Sequence, residues 1–283
     1  MIVARTREEL AGPLAELRAR GERLALVPTM GFLHEGHLSL VRRARELADR
    51  VALTIFVNPA QFGPNEDLDR YPRDLEGDLE KCRKEGVWMV FAPSDPREVY
   101  RPGHSTWVNV EGPLVEGLCG ASRPGHFRGV ATVVLKLFHL FGPDVALFGK
   151  KDYQQLAVIR KMVEDLDLSP GLRIVAGETV REPDGLALSS RNAYLSAEER
   201  ARALSLHRGL AAAKARFERG EREAAALLET AREHIEPEVD RIDYLELVDA
   251  ETLTPVEELA RPACMLVAAF VGKTRLIDNV ELG

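Results

Sequence analysis

The chain has 283 residues, 45% hydrophobic and 29% charged, enough for one large domain or two modest ones with ample core. A net charge of −7 at pH 7 argues against a general nucleic-acid or anionic-membrane surface, although a local basic pocket is compatible with it. No apolar run approaches the roughly 20 residues of a membrane span. The three cysteines, Cys82, Cys119 and Cys264, are few and far apart, which suits buried thiols in a reducing cytoplasm better than a disulfide framework or a zinc cluster.

Thr6 and Glu9 have capping-box spacing for a first helix over 7–20, with Pro13 suited to the start of its regular part. The apolar run 24–27 predicts a buried strand ending at Pro28, which cannot donate to a ladder. Gly31 and Gly36 permit a tight turn, and Leu38, Val41, Ala44 and Ala48 then recur at helical spacing. Residues 28–37, PTMGFLHEGH, are therefore a strand–loop–helix with His34 and His37 where the helix begins. Such a start suits phosphate: its first N–H groups lack internal partners, its dipole is positive, and imidazoles can donate to phosphate oxygens. Zinc is the weaker reading, because the metalloprotease pattern has one more residue between its histidines and no glycine there.

The strand–Pro-Thr-Met-Gly–His34-Glu-Gly-His37 unit resembles the nucleotidylyltransferase superfamily, whose "HIGH"-like signature binds ATP phosphates. The longer string resembles the pantothenate synthetase (pantoate–β-alanine ligase) family, and the strings at 56–62, 122–127, 148–155 and 188–192 resemble it in the same order. The resemblance implies a Rossmann-like parallel-sheet domain binding ATP and pantoate, and a change of composition near 180 bounds it at 1–180. A smaller C-terminal α+β lid domain would cover 181–283. It also implies a cytoplasmic homodimer with ATP, pantoate, β-alanine and Mg²⁺ as its small-molecule partners, and no nucleic acid or membrane.

After the signature helix, residues 51–57 form an uninterrupted apolar strand, as in a parallel sheet covered on both faces. Asn58 and Gln61 follow at its carboxyl end, where ligands of open α/β sheets bind. By themselves they also read as an Asn/Pro turn. The resemblance gives pantoate to Gln61 with Asn58 beside it. A helix from about 73 to 84 carries Asp74, Glu76, Asp78 and Glu80, ordinarily a solvated face, and the resemblance nominates Asp78 for Mg²⁺. Residues 87–91 read as a third core strand, and 95–125 as a Gly/Pro-rich excursion with short antiparallel strands, from the alternation at Thr106, Val108 and Val110. Arg123, before the next helix, is either a substrate contact, as the resemblance implies, or simply an exposed side chain.

Residues 130–141 predict a buried helix and 144–148 a fourth core strand, followed by Gly149, Lys150, Lys151 and Asp152. A lysine ammonium suits an α-phosphate in transit, and a helix starting here would place Lys151 and Gln155 on one face. The resemblance assigns Met30, Gly149, Lys151 and Asp152 to ATP and Gln155 to pantoate. Residues 173–176 read as the fifth strand. Ser189 and Arg191 in Leu-Ser-Ser-Arg-Asn match the family's form of the loop that reads "KMSKS" in related enzymes, which implies ATP contacts. Beyond it, helices over 196–217 and 221–234 and strands over 242–248, 265–271 and 275–280 complete the α+β unit.

The implied reaction is condensation of pantoate with β-alanine through pantoyl adenylate, with His34, His37 and Lys151 as the catalytic groups. Alternatives are an adenylate-forming relative with another acceptor, which would not need Gln61 and Gln155, and a nucleotide-binding module that releases no pyrophosphate.

Overall fold

A computed structural model describes residues 1–64 and 66–283. The chain runs β1 (Ile2–Ala4), α1 (Glu8–Ala19), β2 (Leu24–Thr29), α2 (Glu35–Arg45), β3 (Arg50–Ile55), α3 (Leu75–Lys84), β4 (Met89–Phe91), α4 (Pro113–Glu116), α5 (Leu118–Ser122) and α6 (His126–Phe141). It continues with β5 (Val145–Gly149), α7 (Tyr153–Asp165), β6 (Arg173–Gly177), α8 (Ala197–Glu218), α9 (Ala224–Ile235), β7 (Arg241–Asp249), β8 (Ala263–Val271) and β9 (Thr274–Leu282). Two compact units result: residues 1–110, 123–150 and 155–178, and residues 111–122, 151–154 and 179–283.

In the first unit six parallel strands lie in the order β1-β4-β3-β2-β5-β6. Successive strand residues face opposite sides, and here both sides are buried. Leu24, Leu26, Met89 and Phe148 join one apolar cluster with α1, α6 and α7. Ala25, Val27, Leu53 and Leu147 join another with α2 and α3. This is the Rossmann-like layering that the continuous apolar strands predict. The strand order reverses between β2 and β5, the point where such sheets bind ligands beyond their carboxyl ends.

Four local expectations are corrected. The N-terminal edge strand β1 was not foreseen; it pairs Ile2–Ala4 with β4. Pro28 lies inside β2, paired with Thr54, and the strand ends at Thr29. Thr29 turns its carbonyl to Phe56 on the β3 side, so Pro28 faces the β5 side, where pairing stops at Leu26 and no donor is needed. Pro13 sits within α1. Among the described residues, 95–125 contains no strand. The alternation at 106–110 is instead met by α6: the Val108 amide donates to Thr132 Oγ1 (3.0 Å), and Val108 and Val110 pack on the core.

In the second unit β7-β8-β9 form an antiparallel sheet. Leu206, Leu210, Leu227 and Ile235 of α8 and α9 share its core with Met265 and Val267 of β8. The Ser196–Glu199 capping box opens α8 as its spacing predicts. Among the described residues no helix is long and apolar enough to cross a membrane. Cys82, Cys119 and Cys264 are all buried, and burial pushes the Cys82 thiol up to about 12.

Candidate active site

The loop after β2 is fully engaged before it reaches α2. The Thr29 hydroxyl donates to the Thr54 carbonyl (2.6 Å) and accepts from the Gly31 amide (3.1 Å). Gly31 has φ +86°, and a Cβ there would stand 2.8 Å from Ile55 Cγ2 and 3.1 Å from Asp78 Oδ2, so only glycine fits. His34 then caps α2 with its ring: Nδ1 accepts from the Gly36 amide (3.2 Å). His37 reciprocates, its Nδ1 accepting from the His34 amide (3.3 Å). The ring centroids are 4.1 Å apart.

This reciprocal cap fixes the chemistry. An Nδ1 that accepts a hydrogen bond carries no proton, so each neutral ring is the Nε2–H tautomer. The Gly36 amide, engaged by the His34 ring, is thus not among the N–H groups left without an internal partner at the start of α2.

Asp78 does not lie on a solvated face. Its side chain is 0% exposed, and its oxygens accept from the Phe32 and Leu33 amides, both at 2.7 Å. Burial pushes its carboxyl above the ordinary range, and the two amide bonds offset only part of that. With both oxygens engaged and none accessible, Asp78 does not fit as a direct magnesium ligand. Among the described residues no group of three or more His, Cys, Asp or Glu is arranged to hold a metal ion.

Beyond β3, Asn58 is 1% exposed and satisfied internally. Its Nδ2 donates to Gln61 Oε1 (3.0 Å) and the Gly129 carbonyl (3.2 Å). Its Oδ1 accepts from the Tyr100 hydroxyl (2.8 Å) and the Ala60 amide (3.3 Å). Asn58 thus aims Gln61. Gln61 in turn donates through Nε2 to Met30 Sδ (3.3 Å), which brings two predicted site residues together. Arg123 is committed likewise: its guanidinium grips the Glu66 carboxylate (2.6 and 2.7 Å) and donates to His126 Nε2 (3.0 Å). His126 Nδ1 donates to the Gln61 carbonyl (2.8 Å). Burial raises the Glu66 carboxyl, but Arg123, with Gly63 and His126, outweighs that and holds it below its ordinary value. Arg123 therefore supports the Gln61 turn.

Gly149 ends β5 in the first unit, with open space where a Cβ would stand. Lys150 pairs with Glu178 (2.8 Å). Gln155 is partly exposed on α7. That helix starts at Tyr153, so Lys151 lies in the 3-10 turn before it and the single helical face expected for Lys151 and Gln155 does not form.

In the second unit, Asn279 Nδ2 donates to the Lys151 carbonyl (2.9 Å), and Asp152 is exposed beside it. The neighbouring Gln154, not foreseen from sequence, is buried and bonds the Cys119 amide and the Leu114 and Gly117 carbonyls. Ser189 Oγ accepts from the Arg191 amide (3.2 Å) and caps the 3-10 turn Ser190–Tyr194.

A parallel α/β sheet with imidazole donors at its order-reversing point places the chain among Rossmann-like folds of the nucleotidylyltransferase type. A family model described as Pantoate-beta-alanine ligase matches residues 2–281, and the chain belongs to that family. It is 62% identical to the pantothenate synthetase of Myxococcus xanthus, over 95% of this chain and 92% of that protein. It superposes on the crystal structure of pantothenate synthetase from Thermus thermophilus with a TM-score of 0.92 at 48% identity, covering 100% of this chain and 99% of that one. It also superposes on the pantoate-β-alanine ligase of Francisella tularensis complexed with β,γ-ATP and β-alanine. There the TM-score is 0.80 at 31% identity, covering 99% of this chain and 97% of that one.

Proposed function

We propose that this chain condenses pantoate with β-alanine at the expense of ATP, giving pantothenate, AMP and pyrophosphate. The observation that carries the reading is the reciprocal His34/His37 cap, which puts two Nε2–H donors at the sheet's ligand-binding end. A pantoate carboxylate oxygen attacks the α-phosphorus of ATP, and pyrophosphate leaves. The amine of β-alanine then attacks the acyl carbon of pantoyl adenylate, loses a proton, and AMP leaves. No residue is needed as a covalent nucleophile; alignment and preorganised donors supply the rate.

In this reading His34, His37 and Lys151 offset charge growing on the phosphates. Met30, Gly149, Asp152, Ser189 and Arg191 contact ATP. Gln61 and Gln155 hold pantoate through uncharged bonds, with Asn58 and Arg123 fixing the turn that carries Gln61. Mg²⁺ accompanies the nucleotide and takes no ligand from Asp78.

The experiment is pantoate-dependent pyrophosphate release from ATP and Mg²⁺, with and without β-alanine. Release that needs pantoate, and AMP plus an amide product only with β-alanine, is expected. Release without pantoate dependence would point to another acceptor. Gln61→Ala should lose a well-placed polar contact, costing about 10²-fold in kcat/KM for pantoate while ATP binding is largely kept. Unchanged pantoate use would remove Gln61 from the site. We also place the protein in the cytoplasm as a homodimer, as the resemblance implies. Fractionation with the soluble cell contents and a solution mass twice the 31.4 kDa of the chain are the expected results.

A further inference from the structure

We propose that Asp78, together with Lys81, is a positioning device that holds the 30–34 loop from α3 and thereby sets the two histidines, and that it does not act as a magnesium ligand. The inference rests on the reading that His34 and His37 meet the nucleotide. One turn of α3 ties down three consecutive groups of the loop. Asp78 Oδ2 accepts from the Phe32 amide and Oδ1 from the Leu33 amide, both at 2.7 Å. Lys81 Nζ donates to the Leu33 carbonyl at 2.8 Å and stands 3.8 Å from Asp78 Oδ1. The next residue is His34, whose ring opens α2.

The clamp has something to hold. Phe32 has φ +51°, a left-handed conformation that a bulky residue adopts only when its surroundings enforce it. Gly31, at φ +86°, presents its bare Cα face to the Asp78 carboxylate. The other acids of α3 are engaged elsewhere or point away. Asp74 caps the helix through the Gly77 amide (3.1 Å), Glu76 is on the exposed side, and Glu80 pairs with Lys84 (2.7 Å). A shift of the Leu33 peptide would rotate the His34 backbone and loosen both ring-to-amide bonds, misplacing the Nε2–H donors.

The test uses Asp78→Asn and Lys81→Met in the full chain. Asparagine keeps the shape but offers one oxygen to two amides. Lysine to methionine removes the donor to Leu33 and the ammonium beside Asp78, on a side chain 39% exposed. Pantoate-dependent pyrophosphate release is followed against Mg²⁺, and long-range nitrogen NMR reads the imidazole tautomers without substrate. For Asp78→Asn we expect kcat to fall by about thirtyfold or more, as for an angstrom-scale misplacement. The half-saturating Mg²⁺ should be unchanged, and the ring signals should leave the Nε2–H pattern. Lys81→Met should move the same readouts in the same direction by a smaller step. A rate restored by raised Mg²⁺, or a tenfold rise in half-saturating Mg²⁺, would make Asp78 a metal ligand and overturn the proposal. So would wild-type rate and ring signals in Asp78→Asn, or in Lys81→Met if the asparagine variant fails to fold. Because the ring signals need no substrate, a wild type inactive with pantoate would sink the functional reading alone.

Discussion

His34→Asn is expected to keep the fold and lose about 10² to 10³ in kcat, the usual effect of removing one preorganised transition-state donor. The two functions of the His34 ring sit on different nitrogens. Nδ1 caps α2 by accepting from the Gly36 amide, and asparagine is among the best residues for that task. The Nε2–H faces away from the cap and has no counterpart in asparagine. His34→Ala removes both, so it should also lose about 1 kcal/mol of stability that the asparagine variant retains. Paired melting curves and steady-state kinetics therefore separate structure from chemistry. If the donor acts mainly on charge developing in the transition state, kcat falls while KM for ATP moves little. A fully active His34→Asn enzyme would reduce the ring to a cap and leave the charge stabilisation to other groups.

The parallel sheet was legible because burial on both faces forces long apolar, β-branched strands, and because glycine, proline and polar clusters punctuate them. What escaped depended on partners far away in sequence. β1 is three residues long and reads as a strand only once β4 lies beside it. The alternation at 106–110 records one inward and one outward face, but it cannot say that the partner is a helix carrying Thr132. Of the candidate site, the histidine pair could be singled out from its place at a strand-to-helix loop, whereas Gln61 read by position as an Asn/Pro turn and was singled out only by the resemblance. The roles of Asn58, Asp78 and Arg123 were not legible. Each is a polar residue of a type that reads equally well as a ligand contact, and only the Tyr100 hydroxyl, the Phe32 and Leu33 amides and the Glu66 carboxylate show where their bonds go. Asp78 did leave one trace. It lies on the helical stripe of Leu75, Leu79 and Cys82, and an acid in an apolar stripe must find internal partners.

Gly129→Ala should cost about 10²-fold in kcat/KM for pantoate while leaving KM for ATP nearly unchanged, the scale of an angstrom-sized misplacement. A glycine in the interior of α6 is unfavourable for the helix by up to about 1 kcal/mol relative to alanine, so its presence calls for a packing reason. That reason is the backbone of the 3-10 turn Pro59–Gln61. A Cβ on Gly129 would stand 2.2 Å from the Ala60 carbonyl oxygen and 2.7 Å from Gln61 Cα. Neither neighbour is a flexible side-chain tip, so the turn must move. Its displacement would carry Gln61 off its aim and strain the bonds that set it, from Asn58 to the Gly129 carbonyl and from His126 to the Gln61 carbonyl. Overpacking of this kind destabilises by about 1–3 kcal/mol, of which the better helix former recovers part, so the melting midpoint should fall only modestly. The decisive comparison is with Gln61→Ala. If the methyl group acts through Gln61, the double variant is no worse than Gln61→Ala alone, a non-additivity that a general loss of stability would not produce. Fully additive losses would mean that Gly129 matters to the fold and not to how pantoate is held.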